Sequence, residues 1–549
     1  MLNHRVKLAA LLGLSFVGVL PAFAATPVDL SHQTATVLRS LSSLSPAVAV
    51  KETSRTTDFN RTLHIRVQET YAGYPVWGGD AVVHVTQGAK SSNPLNGLLA
   101  AGASGTTMNG IVYQDLAADL KEAAPAIFNQ AQASKAIQEA VSLYQQKTGV
   151  KTEAKDKHSE LMVYVDAQNK AHWAYLITFH VDAATAADMP AKPALIMDAT
   201  TFQVYQQWNE VKTIGEGIKV VLDPTAGGGF GGNRKLGKLV YDGLEGSLPS
   251  MDMQRDAATQ LCYLRNADVT VKDLKRRAVA QFKCEAADAN HNNIFWNADS
   301  DTVNGGYSPS NDALYAGKVV KEMYQRWYDI PVLVKDGKPM MLVMNVHAAM
   351  DNAYWDGSEM TFGDGQSMFY PLTSLGVAAH EVSHGFTEQH SGLRYYGQSG
   401  GLNESFSDMA AQAAEFYSFG YNSWQIGPEI MKEDRALRYL DQPSRDCGGK
   451  KPGNWCSIDH MSQYTDYLDV HFSSGIFNRA FYTLATTEGW NTKTAFNVMV
   501  KANAHYWTSA STFAQSACGV MKAAKDYNYD VDAVVNAFTT VGVDTSKCS

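Results

Sequence analysis

No cysteine occurs before Cys262, and the six in the chain include no Cys-x-x-Cys pair. That absence weakens any zinc-thiolate or thioredoxin-type reading. Long apolar runs are equally scarce. Leu8–Leu20 is apolar but too short to span a bilayer, and no later stretch is long enough for a transmembrane helix. Basic charge is in deficit, with 46 Lys and Arg against 55 Asp and Glu for a net charge of −9. Nucleic acid and anionic membrane both favour basic surfaces, so neither is an expected partner. No repeat of solenoid length is evident, and no serine or cysteine nucleophile motif stands out.

What is present fits a large globular chain. Its 549 residues are 45% hydrophobic and 18% charged, which suits about three or four folded domains. The N-terminus reads as a signal peptide: Arg5 and Lys7 are basic, the apolar run follows, and Ala22–Ala24 offers small residues for cleavage after Ala24. Export agrees with cysteines meant for disulfides. Their spacing sorts them into near neighbours, giving expected bonds Cys262–Cys284, Cys447–Cys456 and Cys518–Cys548.

Residues 25–207 read as an α+β unit. "TLHIRVQETYAGYPVWGGDAVVHV" holds strand-like runs broken by Gly-Tyr-Pro and Gly-Gly. A helix follows, with Ile137, Val141 and Tyr144 at i, i+4 and i+7. More β-rich sequence comes next. "DPTAGGGFGGNRKLG" then reads as a flexible, protease-accessible linker or an ordinary glycine turn region. From there to about residue 375 short β-like runs dominate, and from about Thr373 the pattern is helical.

The chemistry concentrates in "HEVSHGFTEQHSGLRYYGQSGGLNESFSD", residues 380–408. His380 and His384, four apart, lie on one helix face and can share a metal ion. Glu381 can reach the same cavity without binding the metal. This H-E-x-x-H spacing is a general zinc-protease signature. A zinc hydrolase takes three protein ligands and leaves one position open. Glu404, on a second helix after the turn "GQSGGLN", supplies the third, and Asp408 one turn later can hold a ligand imidazole. Val377, Ala378 and Ala379 make the first helix apolar at its start, hence buried.

This segment resembles the thermolysin-like zinc metalloproteases, and within them the Gram-negative secreted elastase (pseudolysin) branch. "NAYWDGSEMTFGDG" (352–365), "ALRYLDQPSRD" (436–446) and "DVHFSSGIFNRAFY" (469–482) extend the likeness, and the region before residue 208 is similar to that family's propeptide. The resemblance implies a two-lobed α+β peptidase: propeptide 25–207 of two modules, β-rich lobe 208–375, helical lobe 376–549. It implies one catalytic zinc on His380, His384 and Glu404, with Glu381 as general base. His471 and Tyr395 would stabilise the oxyanion, with Tyr396 the alternative to Tyr395. Asp469 would orient His471, with Asp466 as rival. Asn352, Ala353 and Arg438 would hold substrate backbone. Phe369, Leu372, Val377 and Leu437 would form an apolar wall favouring bulky hydrophobic P1′ residues.

The resemblance further implies a secreted monomeric endopeptidase, matured between Gln207 and Gly232, acting on proteins and peptides and using its own propeptide as folding aid and inhibitor. A zinc aminopeptidase would resemble chains with G-x-M-E-N, which is absent here. Calcium fits poorly. Gly376, Gln412 and Ser423 stand where carboxylates are expected, and Glu415 remains almost alone unless other carboxylates rebuild the site. Cys447–Cys456 looks additional to the family and would staple the loop before His471.

Overall fold

A computed structural model describes residues 25–548, apart from 34–36, 39–46, 59–61, 86–94, 96–105, 121–123, 125, 149–152, 182–190, 210–222, 299–300 and 453–454. The expected signal peptide lies outside the described residues. Two large apolar cores organise the chain. One gathers side chains between Ala25 and Ala199, the other between Tyr241 and Val543.

The first core is one face of a nine-stranded sheet with a helix across it. Its strands are β1 (Thr26–Asp29), β2 (Val48–Thr57), β3 (Leu63–Tyr71), β4 (Tyr74–Val85), β5 (Thr106–Gln114), β6 (Ala154–Val165), β7 (Ala171–Val181), β8 (Pro193–Asp198) and β9 (Val204–Asn209). The order is β1-β5-β4-β6-β7-β8-β9, with β2 on β3 and β3 on β4. Gly78 and Gly79 do not break the second strand as the sequence suggested. They sit inside β4 where the register against β3 shifts, and Gly78 takes φ +79°, which a glycine adopts freely. Helix α1 (Gln130–Thr148) buries Ala133, Ala136 and Ala140, while Ile137, Val141 and Tyr144 flank them half-buried. Small residues let the helix approach the sheet, so the expected stripe forms the margin of the contact.

The glycine-rich stretch is not a linker. Asp223–Asn233 is strand β10, the second strand of a sheet built with β11 (Gly237–Val240), β12 (Met251–Asp256), β13 (Leu261–Tyr263), β16 (Gln281–Lys283) and β17 (Phe295–Asn297). A Cβ on Gly227 would stand 2.4 Å from Met253 Sδ, and one on Gly228 2.1 Å from the Tyr241 carbonyl oxygen. Close packing requires these glycines, and composition cannot tell that from flexibility. A five-stranded sheet follows in the order β15 (Ala278–Val279), β14 (Val269–Asp273), β20 (Leu342–Ala348), β22 (Met360–Gly363), β21 (Ala353–Trp355), which leaves β21 at an edge. Helix α2 (Pro309–Tyr328) precedes β20, with the short hairpin β18 (Val334–Lys335) and β19 (Lys338–Pro339) between them.

The remainder is helical: α3 (Leu375–Gln389), α4 (Gly397–Phe419), α5 (Val470–Ser473), α6 (Gly475–Ala485), α7 (Thr492–Lys501), α8 (Phe513–Asp526) and α9 (Val531–Thr540). The small ribbon β23 (Gln425–Ile426) and β24 (Arg438–Tyr439) follows α4. The second core runs without interruption from Val269 and Met344 in the sheet through Phe386 on α3 and Phe406 on α4 to Phe538 on α9. The β-rich and helical parts therefore share one α+β interior. Disulfides join Cys262 to Cys284, Cys447 to Cys456 and Cys518 to Cys548, and no described cysteine is free. Among the described residues no helix is long and apolar enough to cross a membrane.

Candidate active site

Helix α3 starts where Ser374 caps the Val377 N–H. Its i, i+4 spacing puts His380 and His384 on the side facing α4, with their Nε2 atoms 3.1 Å apart. Gly385 allows the other side to lie against β21, since a Cβ there would be 2.9 Å from the Trp355 ring. Helix α4 begins earlier than expected. "GQSGGLN" is its first turns, and the glycines serve a neighbour. A Cβ on Gly400 would stand 2.4 Å from Val470 Cγ1, and one on Gly401 2.3 Å from Ser473 Oγ. Helix α5, which carries His471, can therefore rest directly on the helix that carries Glu404.

Glu404 is fully buried. Its Oε2 is 3.5 Å from His380 Nε2, and its Oε1 is 3.4 Å from His384 Nε2. The three donors lie within 4.8 Å of one another, and Glu404 Oε2 is buried with no hydrogen bond. Donors about 2.0–2.2 Å from a tetrahedral zinc ion stand roughly 3.3 Å apart, so this set fits zinc. The other candidate cluster among the described residues, Asp446 with Cys447 and Cys456, has its thiols committed to a disulfide.

The remaining ring nitrogens are held. His384 Nδ1 donates to Asn403 Oδ1 at 2.7 Å, which leaves Nε2 as the metal-facing lone pair. His380 Nδ1 lies 2.9 Å from Asp408 Oδ1. Asp408 also accepts from Arg438 Nε at 2.7 Å and Nη2 at 2.6 Å, and from Asn478 at 2.8 Å. Burial would raise its pKa, but the Arg438 charge and these bonds hold it below the usual range. The same competition sets Glu404. Burial pushes it up, and the charges of His471, His380 and Arg438 bring it down to about 2. It is a carboxylate, as a metal ligand must be. Burial lowers His384 to about 4, so its imidazole is neutral. Glu381, 7% exposed, is pushed up to about 7 by burial, against the His380 charge and the Trp355 N–H.

Tyr395 donates its hydroxyl hydrogen to Glu404 Oε1 and lies 3.3 Å from His471 Nε2. Tyr396 instead caps α4 and faces Trp208. Asp469 caps α5 and accepts from His471 Nδ1 at 2.7 Å. No such contact joins Asp466 to His471 among the described residues. The Glu404 charge, against burial and helped by Asp469, raises the pKa of His471. Ala353 stands on the edge strand β21, where its N–H donates to Asn352 Oδ1. Phe369, Leu372 and Val377 are buried, and Leu437 packs half-buried against the same core. Sequence reasoning missed Trp355, Asn403 and Asn478. Asn403, next to Glu404, carried a signal in its position alone, whereas the Trp355 contribution is a backbone N–H that residue identity does not encode.

Comparison with known proteins finds relatives along most of the chain. The thermolysin metallopeptidase catalytic domain matches residues 241–388, the alpha-helical domain of the same family matches 391–543, and the fungalysin/thermolysin propeptide motif matches 50–90. Zinc metalloproteinase MspA of Legionella longbeachae is 46% identical over 566 residues, covering 100% of both chains. The chain belongs to the thermolysin-type metallopeptidases. The hemagglutinin/proteinase of Vibrio cholerae is 40% identical over 89% of this chain and 72% of its own. A thermolysin of Alicyclobacillus acidocaldarius is 27% identical over 87% of this chain and 83% of its own. This thermolysin-type chain is a zinc metalloproteinase with a propeptide region.

Proposed function

We propose that the chain is exported as a precursor and matures to a secreted, monomeric zinc endopeptidase with a preference for bulky hydrophobic P1′ residues. The observation that carries this reading is the buried trio His380, His384 and Glu404, with Glu381 beside it and Tyr395 and His471 against Glu404. Zinc, when bound, supplies a Lewis acid that polarises the scissile carbonyl and acidifies the attacking water. Glu381 takes the water proton and returns it to the leaving amine. Tyr395 and His471 donate hydrogen bonds to the carbonyl oxygen as it gains charge. Asp469 fixes the His471 ring, while Asp408 fixes both His380 and Arg438. Arg438 gives its Nε hydrogen and one Nη2 hydrogen to Asp408, so Nη1 and the second Nη2 hydrogen are the donors for a substrate carbonyl. Asn352 and Ala353 pair with the substrate backbone along the β21 edge.

Residues 25–207 act as folding aid and inhibitor in this reading. The cut falls within 210–222, upstream of β10, because a cut inside Asp223–Asn233 would remove ladder pairs such as Asp223–Arg255. A peptide with a blocked N-terminus tests the endopeptidase reading. Cleavage before Leu, Ile or Phe should exceed cleavage before Asp or Lys by at least about 10–200-fold, the discrimination that a single methylene gives in an apolar pocket. Cleavage that requires a free N-terminus, or that favours charged P1′ residues, would contradict it.

Calcium adds little here. Gln412 Nε2 donates to the Gln425 carbonyl at 2.8 Å, and its Oε1 accepts from the Trp424 N–H at 2.9 Å. Glu415 Oε2 accepts from Ser423 N and Oγ. These amide and hydroxyl hydrogen bonds, where calcium would need several carboxylates, support that reading. A calcium-selective chelator that spares zinc should leave the thermal inactivation midpoint unchanged. Reductant should lower it, since a short disulfide loop such as Cys447–Cys456 contributes on the order of 2–3 kcal/mol. A fall of the midpoint on calcium removal would contradict this reading.

A further inference from the structure

The N-terminal sheet meets the peptidase through β3, β4 and β5, and histidines fill the buried centre of that contact. His64 on β3 and His84 on β4 are each 2% exposed. Their Nδ1 atoms are 2.7 Å apart. The ring of His505, from the turn that follows α7, stacks on His64 with centroids 4.2 Å apart. Hydrogen bonds fix where the protons sit. Asn109 Nδ2 donates to the Tyr506 carbonyl, so its Oδ1 accepts from His84 Nε2. His84 Nδ1 is then a lone pair that accepts from His64. A proton added at His84 Nδ1 would set one N–H against another. His505 Nδ1 is buried and makes no hydrogen bond, so a proton there would place a charge without a partner.

The charged neighbours offer no spare carboxylate. Asp58 lies 3.2 Å from His64 Nε2 and 2.8 Å from Lys501 Nζ, and Lys501 is also 2.9 Å from Asp526. Asp526 accepts from the Tyr506 hydroxyl as well. Arg66 donates to the carbonyls of Ala504 and Trp507, and Asp80, whose opposite charge acts on it, accepts from Ser509. His390 and Lys522 complete the set of groups whose charges act on these rings. Burial, followed by the neighbouring positive groups, holds His84 and His505 well below the usual histidine range.

We propose that this three-imidazole contact is the docking surface that keeps the N-terminal region on the peptidase after the chain is cut, and that acid releases it. The proposal rests on the reading of residues 25–207 as a propeptide. The sign follows from linkage. In the closed contact His84 and His505 resist protonation, and in the open state they titrate near 6.5. The open state therefore binds more protons below that pH, and association weakens as pH falls. Each histidine contributes about a tenfold loss of affinity at pH 5.5 relative to pH 7.5, roughly a hundredfold for the pair.

The test uses the full-length Glu381→Gln chain with one added protease site between residues 209 and 223. Its two fragments are run by size exclusion at pH 7.5 and pH 5.5. They should migrate together at the higher pH and separate at the lower. With His84→Gln and His505→Gln they should stay together at both. Should the double variant fail to associate at pH 7.5, His505→Gln alone carries the test and should lose about a tenfold share of the pH effect. Parent fragments that remain together at pH 5.5 overturn acid release, as does a variant that separates as readily as the parent. Parent fragments that part at both pH values overturn the docking surface. Whether residues 25–207 are removed at all is read independently, from the N-terminus of the secreted wild-type protein.

Discussion

Glu381→Gln will lower kcat by about 10²–10⁴-fold, the usual worth of a positioned general base, and the purified protein will still hold one zinc ion per chain. The substitution keeps the shape of the side chain. Its site is 7% exposed and faces the Trp355 N–H, from which an amide oxygen can also accept. What it removes is the ability to take a proton. Because Glu381 sits beside the trio and is not one of its three donors, metal content and folding should be untouched. If maturation is self-cleavage, the variant accumulates as precursor. A folded variant that has lost its zinc would show that Glu381 is a ligand, and unchanged kcat would remove it from the reaction.

His471→Ala should cost about 10²–10³-fold in kcat, the range for loss of one preorganised donor to developing charge, with a smaller change in KM. The side chain of His471 is 47% exposed, so its truncation should leave the unfolding midpoint in place. The loss is then chemical and not structural. Asp469→Asn should produce a weaker loss of the same kind, because Asp469 Oδ1 holds His471 Nδ1 at 2.7 Å. Asp466→Asn should leave kcat alone. Equal losses at Asp466 and Asp469 would contradict the assigned orientation of the ring, and an unchanged kcat in His471→Ala would contradict its role.

The site was more legible in the sequence than its scaffold. His380 and His384 announce themselves because four residues make one helical turn, a relation that holds in any context. Glu404 follows from the need for a third ligand soon after the histidine pair, whereas His471 lies 76 residues beyond Tyr395 and only resemblance to a family linked those two to the site. Residue identity hides two further kinds of contact. A backbone N–H, such as that of Trp355 toward Glu381, belongs to every residue except proline. A glycine required by a distant neighbour, such as Gly400 against Val470, has the same composition as a glycine in a turn. For that reason "GQSGGLN" reads as a turn and folds as a helix, and "DPTAGGGFGG" reads as a linker or a glycine turn region and folds as a strand. In both, tertiary packing decided what local preference left open. The histidine contact between the N-terminal sheet and the peptidase was equally hidden, since His64, His84 and His505 share no motif: His64 and His84 pair across β3 and β4, and His505 joins them only through the docking of two cores.

The central claim is that one zinc ion held by His380, His384 and Glu404 carries peptide hydrolysis. Its most direct test is a zinc titration of metal-stripped mature enzyme, with hydrolysis of a blocked peptide as the readout. Activity should rise linearly from zero and break at one zinc per chain, and the same titration of Glu404→Ala should restore none. Activity in the stripped protein, or recovery of Glu404→Ala to the wild-type level at one equivalent, would contradict it.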